Sequence, residues 1–511
     1  MTTSKAAALV ALSAALYGLA FAPLPGAWLA AWVAFAPFFA VVASAGPSRA
    51  AGLGLLFGLA SGLATCWWLP EMLVHYFGMP PLASWLASLG CFAAFAGLHF
   101  AAFGAWLAWL ARRGRVSPFA VALGFVSCEW ARASLLVPNP QALSAYSQID
   151  FRPLAQLADL AGPWGIGFLL AGANALAAAA LAPALRPLRW RRDLALLGAA
   201  LAAALAYGES RLARDFATGP ELRVAVVQGG VARSDDARGG DSRAELERYL
   251  ALTGEAVAAS QPQLVVWPEG AIDFSPFGAT QRMLRLRDFS RGLDPDLVLG
   301  APRPGADGRR FNAMLQFRRG RPVAIQDKLE PMPFSESRPL GGALGLGRDA
   351  YAPGDGVHLF EIGGLRFGTA ICSEAMGPAF ARRVVGEGAT ALLNPSNDYW
   401  FTSAAPARAQ LAKTRFRAIE TRRWIVRATS TGYSALIDPR GDLAAVSGFG
   451  GAEWLTGSVR GAGGISLHQR IGGVLGPGAL AGCLVLSLAR FARTTSVSPG
   501  WMPRLRMRDS R

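Results

Sequence analysis

Lysine is nearly missing from this chain: Lys5, Lys328 and Lys413 stand against 47 arginines. The composition supplies arginine wherever any cation serves, so a lysine inside a motif hints that a compact ammonium is needed. Histidine is scarce too, at positions 75, 99, 358 and 468. The first two lie in apolar stretches and the others in no motif-like context, which argues against a Cys/His dyad and leaves proton transfer to a carboxylate. Of five cysteines, Cys66, Cys91, Cys128 and Cys483 fall in apolar runs. Cys372 is alone in the polar part, so no disulfide partner is at hand there. CxxC and HExxH spacings are absent, which excludes the common zinc patterns and leaves no metal expected. Repeats of solenoid period are absent as well.

What is abundant is apolar sequence. With 511 residues, 52% of them hydrophobic, and a mean hydropathy of +0.30, the chain is too apolar for one soluble domain, yet it keeps a polar stretch large enough for its own core. Apolar runs at 6–23, 27–44, 51–69, 83–111, 118–136, 161–182, 193–208 and 471–489 are candidate membrane spans, most of them near the roughly 20 residues that cross a hydrocarbon core. Alternate breaks carry Lys5, Arg49, Arg112 to Arg115, Arg186 to Arg192 and the arginines from Arg490 onward. By the positive-inside rule this places both termini in the cytoplasm and 220–465 on the outer face. The first run is read as a retained anchor, since no convincing small-residue cleavage site follows it. These basic breaks account for much of the net charge of +16, so a phospholipid-facing surface is the reading and no nucleic acid is expected. The expected organisation is a polytopic α-helical membrane domain at 1–219 with about seven spans, a globular domain at 220–465, and a last span with a basic cytoplasmic tail at 466–511.

Within 220–465, strand-like runs at 222–228, 263–267, 296–300, 312–318, 322–327, 365–371, 390–394, 423–429 and 433–438 alternate with helical patterns near 241–260, 279–291 and 405–421. Hairpins are expected at Arg319 to Arg321 and at Asp438 to Gly441. The mixture implies an α/β sandwich with helices covering sheets.

Three of these runs end on chemistry: QLVVWPEG on Glu269, PVAIQDKLEPMPFSE on Lys328, and LRFGTAICSEA on Cys372. A carboxylate, an ammonium and a thiol at one sheet edge suit acyl transfer through a thioester. Each has an ordinary reading as well. A lone strand-end cysteine is more often a small core residue, a strand-end glutamate is more often on the surface, and Lys328 could be a chance cation. The company they keep favours chemistry: Ser373 and Glu374 follow Cys372 where a strand ends and a helix could begin, and backbone N–H groups there can lower a thiol pKa.

Taken together, these segments resemble the nitrilase superfamily, and within it the membrane-embedded apolipoprotein N-acyltransferase family. The resemblance rests on the multi-span first half, YSQID at 146–150, VVQGG at 226–230, WPEG at 267–270, PFSE at 333–336, ICSE at 371–374, SNDYWF at 396–401 and the last span. It implies an α-β-β-α sandwich with Glu269 as general base, Lys328 as oxyanion stabiliser and Cys372 as nucleophile. It further implies Glu336 close to that triad and supporting roles for Asn312, Glu374 and Trp400. Three kinds of departure bear on gating and donor preference: VPNPQALSA stands at 137–145 where the family has GFPW before YSQ, Ser373 and Ser335 replace an aromatic and a glycine, and Ala237 stands where a tryptophan is expected.

The implied reaction takes one acyl chain from a phospholipid, the sn-1 chain of phosphatidylethanolamine, onto Cys372 and passes it to the α-amine of a diacylglyceryl-cysteine on an apolipoprotein. Neither metal nor soluble cofactor is called for, a monomer is expected, and the bacterial inner membrane is the expected location. A membrane-anchored amidase or hydrolase is the alternative, in which water replaces the amine. A scaffold with a dead nitrilase domain is disfavoured by the intact triad. A transporter is disfavoured by spans with few ionisable residues beyond Glu129.

Overall fold

The computed structural model describes residues 2–135, 137–187, 189–230, 242–338 and 350–495. All eight apolar runs lie on helix: Thr3–Leu19, Ala27–Trp32 with Ala36–Ala43, Pro47–Thr65, Pro81–Arg112, Pro118–Ser134, Ala158–Ala178, Trp190–Leu212 and Leu467–Thr495. Proline opens three of them at the first helical position, where its missing N–H has no partner to lose, and Ser117 caps the third by accepting from Ala120 N at 3.2 Å. Among the described residues, four helices are long and apolar enough to cross a membrane. Pro47–Thr65 with Leu69–Phe77, bent by 65°, adds a fifth when the bent pair is counted as one span. The sequence pattern showed one run at 51–69, and the second half-helix, which starts where that run ends, was not read from it. A Cβ on Gly58 would sit 2.3 Å from Gly97 Cα, so here the helices meet backbone to backbone and only glycine fits.

The polar segment is two packed six-stranded sheets. β1 (Glu221–Gln228), β2 (Leu264–Val266), β3 (Asp296–Pro304), β4 (Arg310–Arg318), β5 (Arg321–Asp327) and β12 (Glu453–Arg460) form one, in the order β12-β1-β2-β3-β4-β5. The other has the order β11-β10-β9-β8-β7-β6, built from β6 (Phe360–Ile362), β7 (Leu365–Thr369), β8 (Ala391–Ser396), β9 (Ile425–Thr429), β10 (Ala435–Ile437) and β11 (Leu443–Val446). β1, β2 and β3 run parallel, as do β7, β8 and β9.

Alternation along β1 shows why these strands read as continuous apolar runs. Leu222, Val224 and Val226 meet Phe360 and Phe367 between the sheets, while Ala225 and Val227 pack outward with Leu246, Tyr249 and Trp267. Both faces are buried, which gives α-β-β-α layers. Ser242–Ser260 and Gln281–Arg291 cover one side, Pro378–Gly386 and Ala404–Thr421 the other. Both expected hairpins form, with Gly320 and Gly441 at φ of 78° and 82°. Strands β6, β11 and β12 and the helix Pro378–Gly386 were not read from the sequence: β6 and β11 are edge strands of three and four residues, and β12 is half-buried.

The YSQID segment couples the two halves. Gln148 accepts from Trp32 Nε1 at 3.1 Å and donates to Trp28 O at 2.9 Å inside the helical half. Across the seam, Arg417 donates to Tyr146 Oη at 3.2 Å and Arg415 to Asp150 Oδ1 at 2.8 Å. Phe416 and Ile419 join the apolar cluster of Tyr146, Leu154 and Ala155.

Candidate active site

Glu269 is set by the end of β2. Trp267 extends that strand by donating to Val298 O at 2.8 Å, and Pro268 then stops the ladder because it has no N–H. The turn lies on Gly300 of β3, where a Cβ would come 2.6 Å from Glu269 Cα. Lys328 follows β5, its N–H donating to Asn312 O at 2.8 Å, so Asn312 and Lys328 are neighbours on paired strands. Cys372 follows β7 and sits at φ 51°. That left-handed conformation is costly for a side-chain-bearing residue, and the surrounding structure holds it.

The four charged or amide groups are in direct contact. Lys328 Nζ lies 3.0 Å from Glu269 Oε1 and 2.8 Å from Glu336 Oε2. Asn312 Nδ2 donates to the same two carboxylates, at 2.7 Å to Glu269 Oε1 and 2.8 Å to Glu336 Oε1. Asn397 N donates to Glu269 Oε2 at 2.8 Å, and Met332 N to Glu336 Oε2 at 2.6 Å. All four side chains are buried. Burial alone would lower the Lys328 ammonium, yet Glu269 and Glu336 hold it well above the usual lysine range. Burial and the Glu269 charge push the Cys372 thiol up, against the pull of Lys328. The resting side chain is therefore a thiol beside a carboxylate that can take its proton, with an ammonium already in place.

Glu374 ties the Cys372 turn to the loop after Lys328. One of its oxygens accepts from Leu329 N at 2.7 Å and Glu330 N at 3.0 Å, the other from Ile371 N at 2.7 Å. Burial raises its carboxyl to about 8, against Lys328 and these N–H donors. Trp400 stands apart from this group: its ring stacks on Tyr76 of the bent half-helix, centroids 3.8 Å apart. Tyr399 meets His75 and Phe401 meets Trp68, so this aromatic stretch docks on the helical half.

Sequence reasoning missed the groups behind Cys372. Ser396 Oγ donates to Asp398 Oδ1 at 2.6 Å, Arg427 Nη2 to Asp398 Oδ2 at 2.8 Å, and Asn394 Nδ2 to Ala370 O at 2.7 Å. The signal was there in Arg427, a charge inside the otherwise apolar run of a central strand, where burial requires a partner. Of the departures, the 137–145 segment is pinned by Arg132 donating to Ala142 O at 3.1 Å and by contacts of Tyr17 with Ala142 and Lys413 with Gln141. Ser373 is half-buried beside Glu374. Ala237 lies outside the described residues.

Two family models match the chain: one described as the apolipoprotein N-acyltransferase N-terminal domain, over residues 13–176, and one described as carbon-nitrogen hydrolase, over residues 223–462. The apolipoprotein N-acyltransferase of Geobacter metallireducens is 30% identical over 502 residues, which cover 94% of each chain. That of Methylococcus capsulatus is 30% identical over 510 residues, 97% of this chain and 98% of its own. That of Azotobacter vinelandii is 33% identical over 458 residues, 85% and 86% of the two chains.

Proposed function

The chain belongs to the apolipoprotein N-acyltransferase family, and from that premise we propose that Cys372, Glu269 and Lys328 carry acyl transfer from a phospholipid to the α-amine of a diacylglyceryl-cysteine. The observation that carries this reading is the left-handed Cys372 turn, tied through Glu374 to the loop of a buried lysine that two carboxylates hold in place. Glu269 takes the thiol proton as sulfur attacks the ester carbonyl, and the oxyanion forms against the Lys328 ammonium. Collapse expels the lysophospholipid, which takes the proton back from Glu269 and leaves a thioester on Cys372. The incoming amine adds to that thioester, gives its proton to Glu269, and the collapse of the second tetrahedral adduct returns the thiol. Asn312 and Glu336 keep the Glu269 and Lys328 side chains in register through both halves. Phosphatidylethanolamine is the proposed donor and a monomer the proposed working unit.

The eight apolar runs and the basic breaks support an inner-membrane placement, with 1–219 and 466–511 holding the spans, both termini in the cytoplasm and 220–465 in the periplasm. A reporter active only in the periplasm should work when fused near Gly219 or Gly461 and be silent after Arg113. The reverse pattern overturns this topology. The chemical proposal is tested by giving the purified protein phospholipid alone: a mass increase of one fatty acyl chain on the Cys372 peptide is expected, and an acyl group on any other residue rejects the assignment.

A further inference from the structure

A chain of buried hydrogen bonds begins at Ala370, two residues before Cys372, and ends on Ser396. Ala370 O accepts from Asn394 Nδ2 at 2.7 Å, and Asn394 Oδ1 accepts from Arg427 and from Thr414 Oγ1 at 3.2 Å. Arg427 donates to Asp398 Oδ2 at 2.8 Å, and Asp398 Oδ1 accepts from Ser396 Oγ at 2.6 Å. Ser396, Asp398, Asn394 and Arg427 are each at most 3% exposed. Parallel pairing sets Thr369 of β7 opposite Leu393 of β8 and Asn394 holds Ala370 O, so Ser396 stands two residues on at the position alongside Cys372; its hydroxyl favours the ionised sulfur, yet its hydrogen bond is made to Asp398. A serine has one proton, and here two acceptors compete for it. While Cys372 is a thiol, the carboxylate is the stronger acceptor. Once Glu269 has removed the thiol proton, the sulfur is an anion as well, and Asp398 still keeps Arg427.

We propose that Ser396 is a positioning residue for the nucleophile, a hydroxyl that turns its proton from Asp398 to the Cys372 sulfur when the thiolate forms. The proton stays on Ser396 oxygen throughout, and the thiol proton goes to Glu269, so no bond other than S–H is broken in this step. The groups that act on the sulfur are Glu269 after β2, Lys328 after β5, Ser396 at the end of β8 and Asp398 just beyond it. Of these, Ser396 alone offers a neutral, rotatable donor. The inference rests on Cys372 being the nucleophile.

The test is the pH dependence of iodoacetamide alkylation at Cys372, followed on the Cys372 peptide by mass spectrometry in the full-length protein, together with acyl capture from phospholipid vesicles. Ser396→Ala should move the alkylation midpoint upward, slowing the reaction at neutral pH by about tenfold, as loss of one hydrogen bond to a charged group does, and lower kcat with KM little changed. Ser396→Thr keeps the hydroxyl and should restore both. Asp398→Asn removes the competing acceptor and a negative charge, so its midpoint should move downward. A Ser396→Ala profile that overlays the wild type overturns the switch even if wild-type Cys372 still captures acyl chains. Acyl capture surviving Cys372→Ala would overturn the nucleophile assignment instead, so the two failures are told apart.

Discussion

The two halves of this molecule turn their residues in opposite directions. Leu82, Leu86 and Leu488 stand more than half exposed on the helices of the membrane half, while Asn174 is buried there and uses its amide to close a broken helix, accepting from Phe35 N at 2.8 Å and Ala36 N at 3.0 Å. In the sandwich, Trp267, Phe317 and Phe360 are buried and most charges face out. Hydrocarbon solvates leucine as readily as a core does, so the helices need polar or small residues to hold together, whereas the sheets are driven together by apolar area alone. The sandwich breaks its own rule most densely where a lysine and two carboxylates are buried beside the half-buried Cys372. Ions are desolvated there at considerable cost, which is the pattern of a site arranged for chemistry.

The strongest way to break the contrast is to remove what the sandwich buries for chemistry alone. Cys372→Ala should abolish acyl capture and transfer while the protein keeps its thermal stability, and substituting Cys66, Cys91, Cys128 or Cys483 should leave substantial activity. Lys328→Arg keeps the charge but misplaces it, with a loss on the order of 10²-fold in thioester formation; near-normal rates would withdraw the oxyanion role. At the seam the expected effect shifts from rate to stability. Asp159 accepts from Tyr207, Arg211 and the buried Arg422 at 2.7, 2.9 and 2.9 Å. Asp159→Ala strands that arginine, at about 3–5 kcal/mol, and should appear as early melting and new protease cuts between the halves.

The smallest effect sharpens the comparison instead. Lys413 is buried at the same seam, and burial lowers its ammonium to about 7. Its folded pKa is below the unfolded value, so between pH 7 and about 10.4 the unfolded chain binds more protons and stability rises with pH. Lys413→Met should therefore stabilise the protein at pH 6, on the order of 1–3 kcal/mol, with the gain fading toward pH 10. Thermal melts across that range check it, and a gain independent of pH would reject the titration.

Glu269, Lys328 and Cys372 were legible because strand ends deliver side chains to one edge, and apolar runs bounded by proline and glycine mark strand ends. Period-2 patterns likewise located nine of the twelve strands among the described residues, and the eight long apolar runs all lie on helix. Edge strands of three or four residues left too little pattern to see. Lys413 and Gln141, which lie 272 positions apart, carry no local signal of each other at all. The same is true of the run of bonds from Ala370 through Asn394, Arg427 and Asp398 to Ser396. Sequence by itself determined which apolar runs leave water, because that follows from solvent preference summed along a run. Which buried polar groups share a proton or a charge was decided only by the tertiary structure, because hydrogen bonds need distance and direction, and the chain acquires both only when its two sheets and its helical half have packed.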